Sequence, residues 1–235
     1  SLWKAGRDAN TIRLGRLDQA AVEEYLAGTG AVDQSTIRNL LETTGGNPLF
    51  LTELVDLLGR QQSDQLPETV QQVIEQQVSL LPSQAATALG QASVLGREFD
   101  IAALAFLRNQ DEGTTESEVE PAASAGLIQA VRPGRYRFSH VLYRDVLYQG
   151  LGWTRREELH DQCATFVRSL IDGGAIDRWS SYAVHLQAAG LDHRNDAITA
   201  WEKAAERAHA RLGYEEAAQC LQKALAVFGQ GPKFE

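Results

Sequence analysis

The sequence predicts a mainly helical protein that contains one small β-hairpin. Apolar residues recur at helical spacing through most of the 235 residues, and glycine or proline interrupts this pattern at short intervals. In addition, Pro133-Gly134 is a strong turn signal between two β-rich stretches, 127–131 and 135–138. We therefore expect short helices that are grouped into small bundles.

The first bundle is expected over residues 18–81. Asp18 is a good N-cap for its first helix, and Gly45-Gly46 ends its second helix because glycine adopts the left-handed conformation readily. Residues 1–17 carry too few apolar side chains to form a domain of their own. We interpret 1–17 as the severed end of a nucleotide-binding domain and 18–81 as a helical lid.

The third and fourth helices of the lid begin at recognisable signals. Asn47 is expected to cap the third helix, with Pro48 at its first helical position. Pro67 opens the fourth helix, which carries regularly spaced valines. Each helix has only one apolar face, so the four are expected to fold together.

The order of predicted elements changes in residues 82–150. Three helices are expected there, the second near 101–107 and the third near 116–125, and the hairpin follows them. Three helices followed by a hairpin is the order of a winged helix. A further helix is expected from Ser139 to Gly150.

Residues 151–235 are predicted to be helical throughout. Thr154 and Glu157 form a capping-box pattern that is expected to open a long helix. The later segments place alanine at contact positions, which permits close helix packing and resembles an incomplete tetratricopeptide-like (TPR-like) array.

Charge argues against a nucleic-acid-binding protein. The net charge is −9 and the pI is near 5.1, whereas phosphate neutralisation needs clustered Lys and Arg. The feature that favours DNA binding is a basic wing at Arg132, Arg135 and Arg137. Against it, the expected recognition helix carries acids, which we interpret as a solvated face: Glu116, Glu118 and Glu120.

Two cysteines, Cys163 and Cys220, lie on apolar helical stripes and match no redox or metal spacing, so reduced, buried thiols are expected. No run of apolar residues is long enough for a membrane span. These features predict a cytoplasmic protein.

No catalytic or metal-binding pattern is present in the sequence. It contains neither a glycine-rich phosphate loop with Lys-Ser/Thr nor a strand that ends in paired acids for Mg²⁺. Several histidines lack ligands at metal spacing, namely His160, His185, His193 and His209. We therefore expect no catalytic residue, no metal site and no ATP hydrolysis by this chain alone.

Two motifs, in this order, resemble one protein family. The first is Thr44-Gly45-Gly46-Asn47-Pro48-Leu49-Phe50-Leu51 with Glu53; the second is Arg137-Phe138-Ser139-His140 followed by Leu142, Arg144, Asp145 and Tyr148. With a winged helix between them, they resemble the signal-transduction ATPases with numerous domains (STAND) of the AAA-like superfamily. The chain is most similar to bacterial regulators in which this module is joined to a LuxR-type DNA-binding domain, an adenylate cyclase or a protein kinase.

The resemblance implies a nucleotide site. Pro48 would pack on the adenine, with Gly46 and Asn47 shaping the turn, and His140 would contact the β-phosphate of ADP. Ser139 and Val141 flank His140 here, where related immune NTPases have Met and Asp, so this match is partial. From spacing alone, simple helix caps are the favoured interpretation of Gly46, Asn47 and Pro48, and the resemblance reverses this for Pro48. His140 equally suits packing between wing and helix with a hydrogen bond to the backbone.

The resemblance also implies a function. The chain would be the regulatory part of a signal-transducing ATPase that couples ATP or ADP binding to an output such as transcription or cyclase activity. Its partners would be the missing nucleotide-binding domain, and an effector or protein bound at the helical array. The alternative is a nucleotide-independent interaction scaffold, with Trp179, Trp201 and Tyr214 as anchors.

Overall fold

The computed structural model of the chain describes residues 16–27, 37, 38, 41, 46, 48, 51, 52, 55 and 70–229. Two compact units are present, Ser1–Gln77 and Val78–Glu235, and each is described by itself. Much of the predicted lid lies outside the described residues, as do Asn47 and residues 1–15. The predicted domain bounds therefore stay predictions.

The first unit contains helix α1, Gln19–Ala27, and most of helix α2, Val70–Ser79. The Asp18 carboxylate accepts a hydrogen bond from the Ala21 N–H at 2.9 Å, which is the predicted N-cap. The apolar face of α1 is buried in a small core, which comprises Val22, Leu26, Ile37, Leu51 and Val73.

The second unit begins with three helices and a sheet. Helix α3 is Ser83–Ala92, β1 is Glu98–Asp100, α4 is Ile101–Arg108, α5 is Glu112–Ser124, β2 is Ile128–Arg132 and β3 is Arg135–Phe138. The three strands form an antiparallel sheet in the order β1-β3-β2. The predicted hairpin is confirmed, and Gly134 at its turn has φ of +70°.

Strand β1 was not predicted from the sequence. It is three residues long, which is too short to show alternation in the sequence. Phe99 holds it in place: the ring is 2% exposed and lies 5.6 Å from the Phe138 ring, centroid to centroid. This aromatic contact joins β1 to β3, so the hairpin becomes a three-stranded sheet.

Two predicted helix starts were wrong. Helix α5 begins at Glu112 rather than near Glu116, because the Asp111 carboxylate accepts a hydrogen bond from the Thr114 N–H at 2.9 Å and caps the helix earlier. The Thr154 capping box does not form: the long helix begins at Trp153, and the Gly152 carbonyl already accepts from the Arg156 N–H.

The rest of the second unit is helical. Helix α6 is Val141–Gly150, α7 is Trp153–Asp172, α8 is Trp179–Ala188, α9 is Arg194–Ala210 and α10 is Tyr214–Gly229; short 3₁₀ turns, Ile176–Arg178 and Leu191–His193, precede α8 and α9. The described residues thus form ten α-helices and one small sheet. The mainly helical fold class is confirmed.

Alanine builds the core of the C-terminal helices, as the sequence predicted. Eight buried alanines surround Trp201, which is 1% exposed; they are Ala183, Ala197, Ala200, Ala204, Ala205, Ala208, Ala217 and Ala224. Because alanine has the smallest side chain that favours a helix, α8, α9 and α10 can approach one another closely.

Arg108, at the end of α4, joins three helices. Its guanidinium donates to the Gln91 side chain of α3 and forms an ion pair with Glu118 of α5, and both charged side chains are nearly buried, at 8% and 10% exposure. A carboxylate held in this way is not on a solvated face. The prediction of a solvated face was therefore wrong for Glu118.

We expect Glu118→Ala to lower the free energy of unfolding by about 3 kcal/mol, because it leaves the Arg108 charge buried without its partner. Urea unfolding followed by circular dichroism measures this loss. Glu120→Ala, at an exposed position on the same helix, is the matched control. Equal stability of the two variants would contradict the role of the ion pair.

Candidate functional site

Gly46 forms a sharp, buried corner. Its φ of +72° lies in the left-handed region, as predicted for the glycine that ends a helix. The Leu17 N–H donates to the Gly46 carbonyl at 2.7 Å, and a Cβ at position 46 would lie 2.3 Å from the Leu17 carbonyl oxygen. Any side chain here would collide with backbone, so only glycine fits.

Pro48 lies two residues after Gly46 in the chain. It lies in a helical conformation and is exposed to solvent. A proline at a helix start leaves no unsatisfied N–H, and its ring presents a flat apolar surface. Asn47, between the two, lies outside the described residues. The corner therefore offers one exposed ring on a backbone that Gly46 fixes.

His140 caps helix α6. Its Nδ1 accepts a hydrogen bond from the Leu142 N–H at 3.2 Å, and the residue has the extended backbone typical of an N-cap. A neutral ring that accepts at Nδ1 carries its hydrogen on Nε2. His140 belongs to the second unit, whereas Gly46 and Pro48 belong to the first, so only the latter two are brought together within one unit.

A second group of polar residues was not predicted. The Tyr148 hydroxyl lies 2.9 Å from His160 Nε2, and His160 Nδ1 lies 3.0 Å from His185 Nδ1. Both histidines are buried, at 4% and 6% exposure. This line of hydrogen bonds, the Tyr148–His160–His185 relay, joins α6 to α7 and α7 to α8.

Arginines surround the tyrosine end of the relay. The Arg144 guanidinium lies 4.5 Å from the Tyr148 ring centroid and donates to the Ser93 carbonyl at 2.8 Å, and the Arg156 guanidinium lies 5.3 Å from the same centroid. Arg144 also forms an ion pair with Asp145 at 3.0 Å. These cations make a further positive charge on the relay unfavourable.

Both histidines are held neutral. Burial lowers the pKa of His160 to about 4, with smaller contributions from His185 and from the two arginines. Burial alone lowers the pKa of His185 to about 4. One Nδ1 must then donate to the other, which is possible only when the two imidazoles have complementary tautomers.

The sequence contained one signal of this pair. His160 and His185 each stand directly beside a buried leucine, Leu159 and Leu186, and so lie close to apolar helical stripes. The two residues are 25 positions apart, and no local spacing pattern can bring them together. Only the packing of α7 against α8 does so.

Most arginines of the wing form ion pairs with acidic residues of the same unit. Arg135 pairs with Glu98 at 3.2 Å and Arg132 lies 3.8 Å from Asp100, so β1 neutralises charge that the sequence analysis assigned to DNA contact. On α5, Glu116 accepts a hydrogen bond from the Tyr136 hydroxyl at 3.0 Å. Two of the three wing arginines, Arg132 and Arg135, thus have carboxylate partners on β1.

Metal-binding and membrane features are absent from the part of the chain that the structure describes. No group of three or more potential metal ligands occurs there. None of its helices combines the length and the apolar character needed to cross a bilayer. Cys163 and Cys220 are buried and free, as predicted, and burial raises the pKa of Cys163 to about 12.

Comparisons with known proteins include a similar solved structure. No protein-family model and no curated protein matches the chain. A similar solved structure is the crystal structure of a STAND protein with a tetratricopeptide repeat sensor from Pyrococcus horikoshii, at 14% identity and a TM-score of 0.42. The match covers 94% of this chain and 36% of that one. Similarity at this level establishes neither family membership nor function, so both stay predictions.

We expect the stability of the second unit to fall as the pH drops from about 6.5 to about 4. In this range the unfolded chain protonates His160 and His185 while the folded chain keeps them neutral, so the lowered pKa values favour folding only at higher pH. The full loss would be on the order of 3 kcal/mol for each histidine. Urea unfolding at pH 7.5 and pH 5, followed by tryptophan fluorescence, should record about 2 kcal/mol of this loss for each histidine.

His185→Phe removes one titrating group and should flatten this pH dependence by about half. His209→Gln, at an exposed histidine of the same unit, should leave it unchanged. A pH dependence that is the same in both variants would show that the buried pair is not its source.

Proposed function

We propose that this chain is the regulatory part of a signal-transducing ATPase and acts as a nucleotide-state switch. The observation that carries the proposal is the corner at Gly46, where a backbone that tolerates no side chain presents the exposed ring of Pro48. A fixed apolar ring beside a helix start suits an adenine base, and pre-organisation lowers the entropic cost of binding.

His140 is proposed as the phosphate contact. Its capping bond to Leu142 fixes the ring at the start of α6, where the free N–H groups of a helix favour an anion. The His140 ring is the group that would contact a phosphate oxygen of ADP. A contact that either residue makes in one nucleotide state only would couple nucleotide binding to the state of the chain.

Catalysis is assigned to another part of the parent protein. Phosphate-binding loop, Mg²⁺ ligands and hydrolysis would come from a nucleotide-binding domain that precedes this chain. The residues described here would bind or release that domain according to its nucleotide, and the parent's output would be transcription or cyclase activity. The helical array would receive the effector or partner protein.

We expect Pro48→Ala and His140→Asn each to weaken ADP binding by the parent protein about tenfold, as the loss of one good contact would. Calorimetry with ADP measures this change. Asparagine at position 140 can still cap α6, but its shorter side chain cannot extend as far as an imidazole, so the variant separates capping from phosphate contact.

Matched controls come from exposed positions outside the proposed site. Pro82→Ala removes an exposed proline before α3, and His209→Gln changes an exposed histidine on α9; both should keep wild-type affinity. If ADP binds equally well to all four variants, or if the parent ignores nucleotide, the switch proposal is wrong.

A nucleotide-independent interaction scaffold is the second candidate, and helix α10 favours it. One face of α10 packs on the alanine core, yet another carries large exposed apolar side chains: Tyr214, Leu221, Leu225 and Phe228, at 61%, 48%, 69% and 67% exposure. Trp201 is buried in the core and Trp179 is half-buried, so of the three predicted anchors Tyr214 is the most accessible.

Leu225→Lys separates the two candidates. Its side chain is exposed, so the substitution should change the free energy of unfolding by less than about 0.5 kcal/mol. A scaffold would lose its protein partner in this variant while the ADP affinity of the parent stays the same. A switch without a partner on α10 would keep its output unchanged.

A further inference from the structure

A cavity of about 430 Å³ lies within the second unit, between the small sheet with α4 on one side and helices α7 and α8 on the other. Phe99, Phe166 and Leu170 contribute to its apolar wall. This volume is in the range of sites that take small organic ligands. The cavity plays no part in the nucleotide contacts proposed above.

Helix α8 and the turn before it supply a polar wall. Arg178, Ser181 and His185 all line the cavity and are spaced so that they share one helical face. Among the described residues, the Arg178 guanidinium has no ion-pair partner and the Ser181 hydroxyl has no hydrogen-bond partner. Three polar groups therefore converge on a space that no protein atom fills.

His185 is the most informative of the three. The residue is 6% exposed, and its Nδ1 faces His160 at 3.0 Å. Its Nε2 has no hydrogen-bond partner in the described structure and is absent from the fully enclosed polar atoms that lack one, so it retains accessible surface. A nearly buried imidazole with one open nitrogen on a cavity is positioned to bind a ligand.

The relay determines what that nitrogen offers. Of the two directions that neutral tautomers allow, the one in which the Tyr148 phenol donates to His160 Nε2 joins the better donor to the better acceptor. His160 then carries its hydrogen on Nδ1 and donates it to His185 Nδ1. His185 consequently carries its hydrogen on Nε2, and the relay presents an N–H donor to the cavity.

Charges on the opposite rim indicate which end of a ligand lies at α8. Arg132 and Arg135 line that rim and pair with Asp100 and Glu98, so these four residues are close to neutral together. Glu112 adds an exposed negative charge on that side. An anionic group is therefore more favourable at the α8 wall, near Arg178.

We propose that this cavity binds a small amphipathic carboxylate. The carboxylate accepts hydrogen bonds from the His185 Nε2–H and the Ser181 hydroxyl, and Arg178 supplies the compensating charge. The apolar body of the ligand packs on Phe99 and Phe166. Binding fixes the relay in one direction, from Tyr148 to the ligand, and so acts on α6, α7 and α8 together.

Phenylacetate is the probe for this proposal, because it joins an aromatic ring to one carboxylate. Calorimetry with the full chain at pH 7.5 should show saturable binding that is about tenfold tighter than that of 2-phenylethanol, which has the same ring and no charge. His185→Phe and Arg178→Gln should each weaken phenylacetate binding about tenfold.

Two further variants make the result specific. Ser181→Ala is a mild change that should weaken phenylacetate binding severalfold without disturbing the relay. This variant keeps the proposal testable even if His185→Phe impairs folding. Arg194→Gln is the control: it lies on a separate cavity of about 630 Å³, where its guanidinium donates to the carbonyls of Val227 and Phe228. It should bind phenylacetate as the wild type does.

The proposal is overturned if phenylacetate shows no binding at millimolar concentration, or if it binds no better than 2-phenylethanol. It is also overturned if the variants at Arg178, Ser181 and His185 keep wild-type affinity while Arg194→Gln loses it, because the ligand would then occupy the other cavity. ADP plays no part in these measurements, so they succeed or fail independently of the nucleotide switch.

Discussion

The hydrogen bond between two buried imidazoles is the constraint on which the centre of this molecule depends. His160 and His185 come from different helices, and each requires the other to satisfy its Nδ1. Because both are buried, and His160 also lies near Arg144 and Arg156, neither can become charged without a large cost. The arrangement of α6, α7 and α8 is thereby coupled to the position of single hydrogen atoms.

This coupling has a chemical direction. In the direction proposed above, Tyr148 donates at one end of the relay, and His185 lines the cavity at the other end. A ligand bound in the cavity as proposed and the Arg144 guanidinium over the Tyr148 ring would then belong to one polar network. A polar network that is satisfied along its whole length specifies one packing of the surrounding helices more strictly than apolar contacts alone.

Much of the fold could be predicted because the signals are local. Pro133-Gly134 marked the hairpin, Asp18 marked the start of α1, and alanine marked the close contacts of the C-terminal helices. The errors arose where two local signals competed. Asp111 caps α5, so this helix begins upstream of Glu116. The Gly152 carbonyl accepts the first hydrogen bond of α7, so Thr154 already lies inside that helix.

The candidate sites were predictable to different degrees for the same reason. Gly46 and His140 could be found from motifs, since a left-handed corner and a helix cap depend on adjacent residues. The histidine pair, the Arg108–Glu118 ion pair and the polar wall of α8 depend on contacts between segments that are distant in sequence. A motif search cannot find these, because their geometry exists only after the helices have packed.

The alanine core has a consequence for how this sequence can vary. Where helices meet through methyl groups, a larger side chain at one inner position must push two helix axes apart, so its effect spreads along the whole interface. The inner rows of α8, α9 and α10 are thus restricted by volume, independently of any ligand. The exposed residues of α10 have no such restriction within the second unit. Packing in that unit therefore allows substitution of Leu221, Leu225 and Phe228.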